Sequence, residues 1–304
     1  MTSVVGVGHG GSVPGGGSAI PGRESRAGAR CDTNLAVVAF AEPAGFAQGL
    51  RQWRERRRVS QLELALRAGT TQRHVSFIER GRSLPGRGMV VRLAEALEVP
   101  LRERNALLLA AGFAPAYSQT RLGDPRLDPV RTALEHVLEG HMPYPAVLTD
   151  RGADLVAANG AADVLWAGAA PWLLEAPVNL PRVLLHPDGV ASRIGNLMEW
   201  GWHVIDGLAR KADRDGNRAL ETVIAELVEY VPARPQHLPP GHLGFAVPLR
   251  LRAGEQELAL LTTLAHFATA IDVEVAELTL EAFLPGDAVT AAYFTGPGAE
   301  QGAP

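Results

Sequence analysis

The chain has 304 residues, 46% of them hydrophobic, which is enough for about two packed domains, and no apolar run approaches the roughly 20 residues that span a bilayer. Its single cysteine, Cys31, excludes an internal disulfide framework and suits a reducing cytoplasm, and the N-terminus lacks the basic-then-apolar order of a secretory signal. The net charge of −4 hides an asymmetry: residues 46–104 carry 13 Arg against 6 Glu, a local +7, so the remainder carries −11. A basic stretch in an otherwise acidic chain suits nucleic-acid contact, although a solvated Arg-rich face would give the same balance.

Residues 1–42 are rich in Gly, Ser and Pro and are predicted to be a disordered tail. They include the literal pattern Gly6-Val7-Gly8-His9-Gly10-Gly11. That pattern cradles phosphate only between a strand and a helix, and the Ser12-Val13-Pro14-Gly15 that follows starts no helix. From residue 43 to 114 the pattern is helical. Leu50 and Trp53 mark a first helix, Met89, Leu93 and Leu97 a fourth at spacing i, i+4, i+8, and Leu101, Leu107 and Leu108 a fifth that ends near Gly112.

Two short helices are expected between them. Ser60-Gln61-Leu62-Glu63 has the form of a capping box, with the Ser60 hydroxyl accepting from the third helical N–H and Glu63 returning the bond. This helix stops at Gly69, and Thr70-Thr71 offers an oxygen to start the next. Leu64, Ala65 and Ala68 face inward from one helix, Val75 and Ile78 from the other. Ala65 is small where they cross, and Gly69 sits at the sharp corner.

Such a pair places its second helix in a major groove. With Val75 and Ile78 buried, Gln72, Arg73, Ser76, Phe77 and Arg80 point outward. Gln pairs bidentately with adenine and Arg with guanine, so Gln72 and Arg73 are the expected base readers. His74 either reaches DNA or is a solvated edge residue, and Phe77 either touches a thymine methyl or packs on a neighbouring helix. Gln61, Thr71, Ser76, Arg80, Arg82 and Arg87 are placed for phosphates, which set register and affinity but not sequence. A helical hairpin in an ordinary bundle, or a protein-interaction module, is the alternative.

Gln61 to Arg80, and above all Gly69-Thr70-Thr71-Gln72, resemble the helix-turn-helix of the Cro/XRE repressor family over about residues 46–111. The resemblance implies DNA contacts at Gln61, Gln72, Arg73 and Phe77, where Phe77 replaces a frequent polar residue. It also implies a buried ion pair of Arg54 with Glu79 between the first and third helices.

After a linker (115–128), residues 129–294 are predicted to form an α+β domain, and 295–304 a loose tail. Ala146–Asp150 and Asp154–Ala158 flank an Arg151-Gly152 turn, and a helix is expected from Asn159. Leu243–Arg252 alternates through Leu243, Phe245, Val247, Leu249 and Leu251. Leu258–Phe267 follows a turn at Ala253-Gly254, and Leu278, Leu280, Ala282 and Leu284 share one face of a last strand. Such alternation predicts a sheet with one covered and one wet face. Helices near 192–210 and 217–230 are placed to cover it. Five antiparallel strands under helices, behind the five-helix domain, resemble a PAS-like sheet, in which the space between helices and sheet can hold a ligand.

Residues 107–115, Pro143-Tyr144-Pro145-Ala146-Val147, His186-Pro187-Asp188-Gly189, Asn196 with Glu199-Trp200, and Pro285-Gly286-Asp287 resemble the MmyB-like ligand-binding domain found behind many XRE-type helices. The resemblance covers about 101–294 and implies a pocket for a fatty acid or similar small hydrophobic molecule. Gly152-Ala153 and Gly160 depart from its usual aromatic and basic residues. Asn196, Trp200 and His203, at i, i+4, i+7, form either a pocket wall or a core-facing stripe with satisfied polar groups.

His186, His203, His242 and His266 lack metal-ligand spacing, and neither a nucleophile elbow nor a G-x-x-x-x-G-K loop is present, so no metal, cofactor or catalytic group is expected. The expected protein is a cytoplasmic, ligand-responsive transcription regulator, nucleoid-associated when DNA-bound, and a homodimer on a double-stranded operator. A constitutive DNA binder whose second domain only dimerises, and an enzyme with a DNA-binding appendage, are the rivals.

Overall fold

The structure, a computed structural model, describes residues 44–234, 247–267 and 269–296. The glycine-rich pattern at 6–11, His242, Leu243, Phe245 and the residues after 296 lie outside the described residues.

Five helices form the first domain: α1 (Ala44–Arg56), α2 (Gln61–Arg67), α3 (Gln72–Glu79), α4 (Arg87–Ala96) and α5 (Leu101–Ala110). One cluster holds them, with Phe46, Leu50, Trp53, Leu64, Val75, Ile78, Leu93 and Leu108 all buried. The Ser60 hydroxyl accepts from the Glu63 N–H at 3.1 Å, so the box is half formed as expected. Glu63 does not complete it. Its carboxylate instead takes the Arg67 guanidinium at 2.8 Å, one helical turn on, where a charge-assisted bond outcompetes a neutral N–H. Gly69 turns the chain at φ +64°, a left-handed conformation that glycine adopts without a Cβ penalty. The Thr71 hydroxyl then starts α3 by accepting from the His74 N–H at 3.2 Å.

The connector is not a free linker. Buried Asn105 accepts from the N–H groups of Ala116 and Tyr117 at 2.9 and 3.1 Å and donates to the Tyr117 carbonyl at 2.8 Å. Further on, the Thr120 N–H donates to Asp272 at 3.1 Å, and the Val273 N–H donates to the Ser118 carbonyl at 2.8 Å. Residues 116–120 therefore bind both domains along their length.

The second domain opens with α6 (Asp128–Glu139), which is not among the expected elements although its Val130, Leu134, Val137 and Leu138 have helical spacing. Among the described residues five strands follow: β1 (Ala146–Thr149), β2 (Leu155–Ala158), β3 (Leu249–Ala253), β4 (Gln256–His266) and β5 (Thr279–Pro285). They form one antiparallel sheet in the order β2-β1-β5-β4-β3. The helix expected from Asn159 is only a 3-10 stretch, Gly160–Leu165, because Asn159 is spent elsewhere. Its side chain accepts from the Ala146 N–H at 3.1 Å and donates to the Leu138 and Tyr144 carbonyls at 3.1 and 2.8 Å.

Between β2 and β3 lie α7 (Leu180–Leu185), α8 (Leu197–Asp215) and α9 (Arg218–Tyr230). Helix α8 starts five residues later and ends five later than expected, closing on Gly216 at φ +66°. These helices bury Val147, Leu249, Leu251, Leu258, Leu260 and Phe283 of one sheet face beneath Trp200, Ile205 and Leu227. The opposite face was expected to be wet; instead Leu148, Leu278, Leu280 and Ala282 pack on Leu134 and Leu138 of α6. The short α10 (Val273–Ala276) precedes β5, and α11 (Ala288–Thr295), capped by Asp287, extends one residue into the segment expected to be a tail.

Candidate functional site

Helix α3 is anchored on one side by Val75 and Ile78, which are 0% and 1% exposed, and this fixes what the other side presents. Gln72, Arg73 and Arg80 are exposed, and His74, Ser76 and Phe77 are half-buried. Phe77 follows neither expectation alone. The guanidinium carbons of Arg73 and Arg80 stand 5.2 and 5.8 Å from its ring centroid, so it serves as a platform for both cations. Arg80 is further tied to the Ser76 carbonyl at 3.0 Å and to the Ser76 hydroxyl. His74 Nδ1 lies 2.9 Å from the Thr70 hydroxyl, which holds the ring at the start of the helix. Arg82 and Arg87 are exposed, on the loop after α3 and at the first residue of α4.

The support behind this surface is the pair of Arg54 and Glu79, with N–O distances of 2.6 and 2.9 Å and the Glu79 side chain 3% exposed. The bond from Glu79, with its charge, holds the Arg54 guanidinium above its ordinary value against the opposing effect of burial. Gln61 joins them by donating to Glu79 at 2.8 Å, so its amide also braces α2 on α3. Arg57 donates to the Leu97 and Glu98 carbonyls at 2.9 and 2.8 Å and closes the C-terminal end of α4, a role that only the tertiary structure shows.

In the second domain the three residues expected on one helix face separate. Asn196 is the residue before α8, and its side chain donates to the Pro248 carbonyl at 2.8 Å and accepts from the Arg250 N–H at 3.0 Å, clipping the helix to β3. Trp200 is core, at 3% exposure, whereas His203 is exposed. Asn196 and Trp200 thus take the structural alternative, and the three do not form one wall.

The inner sheet face changes character along its length. Beyond the apolar cluster, Thr262, Leu264 and His266 of β4 are exposed, Leu264 at 62%, and Leu264 lies in register with half-buried Glu281. Lys211 of α8, the sole lysine of the chain, donates to the Thr279 hydroxyl at 3.3 Å, and His266 Nδ1 is 3.4 Å from that same oxygen. Burial pushes the Glu281 carboxyl up and the Lys211 ammonium down. The Thr149 hydroxyl, on the strand beside Thr279, is buried and has no hydrogen-bond partner among the described residues. At the opposite end of the sheet a cleft of about 870 Å³ runs between Met142, Val164, Arg193, the β3–β4 turn and Tyr293, within the size range of small-molecule sites. There Arg193 is committed to the carbonyls of Ala167 and Arg252 at 2.5 and 2.9 Å.

Among the described residues no group of His, Cys, Asp or Glu side chains is arranged to hold a metal, and no helix is long and apolar enough to cross a membrane.

Comparison with known proteins agrees with this geometry. Residues 50–104 match a helix-turn-helix family. An uncharacterized HTH-type transcriptional regulator, y4dL, of Sinorhizobium fredii is 48% identical over 56 residues, which is 18% of this chain and 29% of that protein. Residues 130–295 match the MmyB-like transcription regulator ligand binding domain. With more than half its length inside that match and a helix-turn-helix ahead of it, the chain belongs to the MmyB-like transcription regulators.

Proposed function

We propose that the protein binds a two-fold double-stranded DNA site sequence-specifically as a homodimer, and that a small hydrophobic ligand, such as a fatty acid, sets its affinity. The carrying observation is the division of α3, with Val75 and Ile78 sealed in the core and Gln72 and Arg73 free on the opposite flank. Bidentate groups on an outward helix supply base readout, and the exposed Arg82 and Arg87 supply phosphate contacts. Arg73 rests on Phe77 and so enters the groove with part of its side-chain freedom already removed.

Binding-site selection from random duplexes at a stated salt concentration tests this reading. A recovered pseudo-palindrome that Arg73→Ala no longer prefers supports it. Recovery of no motif, with binding that salt abolishes uniformly, refutes it.

The ligand reading rests on the sheet face, where Leu264 offers apolar surface in register with Glu281, and Lys211 and the Thr149 hydroxyl lie around Thr279, the neighbouring inward residue of β5. Native mass spectrometry of the purified chain, with Leu264→Asp as control, tests retention of a lipid-like molecule. Protein that stays ligand-free and binds its operator unchanged across a fatty-acid series would favour a constitutive binder.

A further inference from the structure

The two domains meet through charge. Arg102, at the start of α5, reaches Glu277 at 2.9 and 2.6 Å and Glu274 at 2.9 Å. Arg151, in the β1–β2 turn, reaches back to Glu103 of α5 at 2.8 Å and lies 3.8 Å from Glu277. All five side chains are partly withdrawn from water, which shields such pairs from salt. A second contact lies at the end of α8. A Cβ on Gly216 would stand 3.1 Å from the Trp53 ring and 2.5 Å from an Arg56 nitrogen, so α1 rests directly on this glycine. Asn217, the next residue, donates to the Arg151 carbonyl at 3.0 Å and joins the two contacts.

Three of the segments that touch the DNA-reading domain run, within a few residues, into elements that carry the polar groups between α8 and the sheet. In β1, Thr149 precedes Arg151 by two positions. At the entry to β5, Thr279 and Glu281 follow Glu277. In α8, Lys211 precedes Gly216 by five. Among the described residues these polar groups are short of partners: Thr149 has an unpaired hydroxyl, and Lys211 makes one long hydrogen bond. Buried polar atoms normally find partners, so such a set is poised for a group brought by a ligand.

We propose that the ion pairs of Arg102 and Arg151 with Glu103, Glu274 and Glu277 are a latch. It passes the engagement of a ligand's polar end by Lys211, Thr149 and Glu281 to the orientation of the DNA-reading domain. This rests on the ligand-controlled reading above. A ligand that pairs with Lys211 and Thr149 shifts α8 against β1 and β5, and the residues adjoining these three elements, Gly216, Arg151 and Glu277, hold α1 and α5. A ligand acts on DNA affinity only through such a difference between the latched and unlatched arrangements.

Hydrogen exchange on the full chain, without DNA or ligand, tests the latch directly. Arg102→Glu and the milder Glu277→Gln are expected to speed exchange several-fold in α10, the β1–β2 turn and the first turn of α5. The swap Arg102→Glu with Glu277→Arg is expected to restore protection. Lys211 bonds Thr279 and the Thr149 hydroxyl is unpaired, so neither makes a described hydrogen bond to the first domain, and Lys211→Met and Thr149→Val are expected to change exchange in the same peptides. Unchanged exchange in both Arg102→Glu and Glu277→Gln overturns the proposal. So does loosening by these variants while Lys211→Met and Thr149→Val leave the latch peptides unmoved. Operator binding by the wild-type chain is measured separately; its loss would sink the regulator reading without altering the exchange result.

Discussion

Arg54 and Glu79 meet side by side, Nε to Oε1 at 2.6 Å and Nη2 to Oε2 at 2.9 Å, and join the first helix to the last turn of the third. Removing Glu79 leaves the Arg54 guanidinium, whose side chain is 13% exposed, with only the Val59 carbonyl and a 3.9 Å contact to Glu55 among the described residues. Glu79→Ala is expected to cost about 3 kcal/mol in urea unfolding of the first domain. DNA affinity should fall only in proportion to the unfolded fraction, because Glu79 holds the reading helix rather than touching bases. A large affinity loss in fully folded variant protein would contradict this.

Arg73 and Arg82 should differ in kind. Arg73→Ala is expected to weaken operator binding by about 1–3 kcal/mol and to relax one base position, whereas Arg82→Ala should weaken all sequences alike and lower the salt slope by about one. Titrations against matched and mismatched duplexes over a salt series separate the two effects.

Gly69 isolates a backbone cost. Its φ is +64°, yet a Cβ there meets nothing within 4 Å, so space is not limiting. Gly69→Ala should lose about 1 kcal/mol by conformational strain alone, and Gly69→Asn less, since Asn tolerates this region. Thermal melts of the two variants check the order.

His266 gives the pH dependence a sign. Although His266 reaches solvent, partial desolvation of its ring, followed by the Arg214 and Lys211 charges, lowers its pKa from an ordinary 6.5. The unfolded chain therefore takes up this proton first, and stability falls as pH drops from about 6.5 through the lower folded value. Glu281 and Asp150 are raised by burial and act in the opposite sense: their contribution improves as pH falls towards the ordinary carboxylate range. Urea midpoints across this interval should be flatter at the acid end for His266→Gln than for wild type.

The first domain was legible because its signals are local. Ser60, Gly69 and Thr71 punctuate two helices, and Val75 with Ile78 marks a buried side that leaves only one outward flank. The later strands were legible from alternation, and β1 and β2 as short apolar runs around a turn, but neither signal says which layer covers which face. Helix α6 escaped notice, and with it the cover over Leu148 and Leu280. Asn196 could not be placed, because its partners, Pro248 and Arg250, are more than fifty residues away in the chain. The Arg102 and Arg151 contacts were invisible for the same reason: a charged residue reads as solvated surface until the fold brings its counter-ion to it. One compositional signal did exist, since Lys211 is the single lysine among 29 basic residues.

The grip of Asn105 on Ala116 and Tyr117 has a practical consequence for exchanging modules among regulators of this kind. A fusion joined at the end of α5 would strip three hydrogen bonds from a sequestered amide and leave the donor portion poorly folded. A junction placed after Tyr117 carries the whole clasp with the DNA-reading portion, so swapping sensors between such proteins should succeed there and fail a few residues earlier.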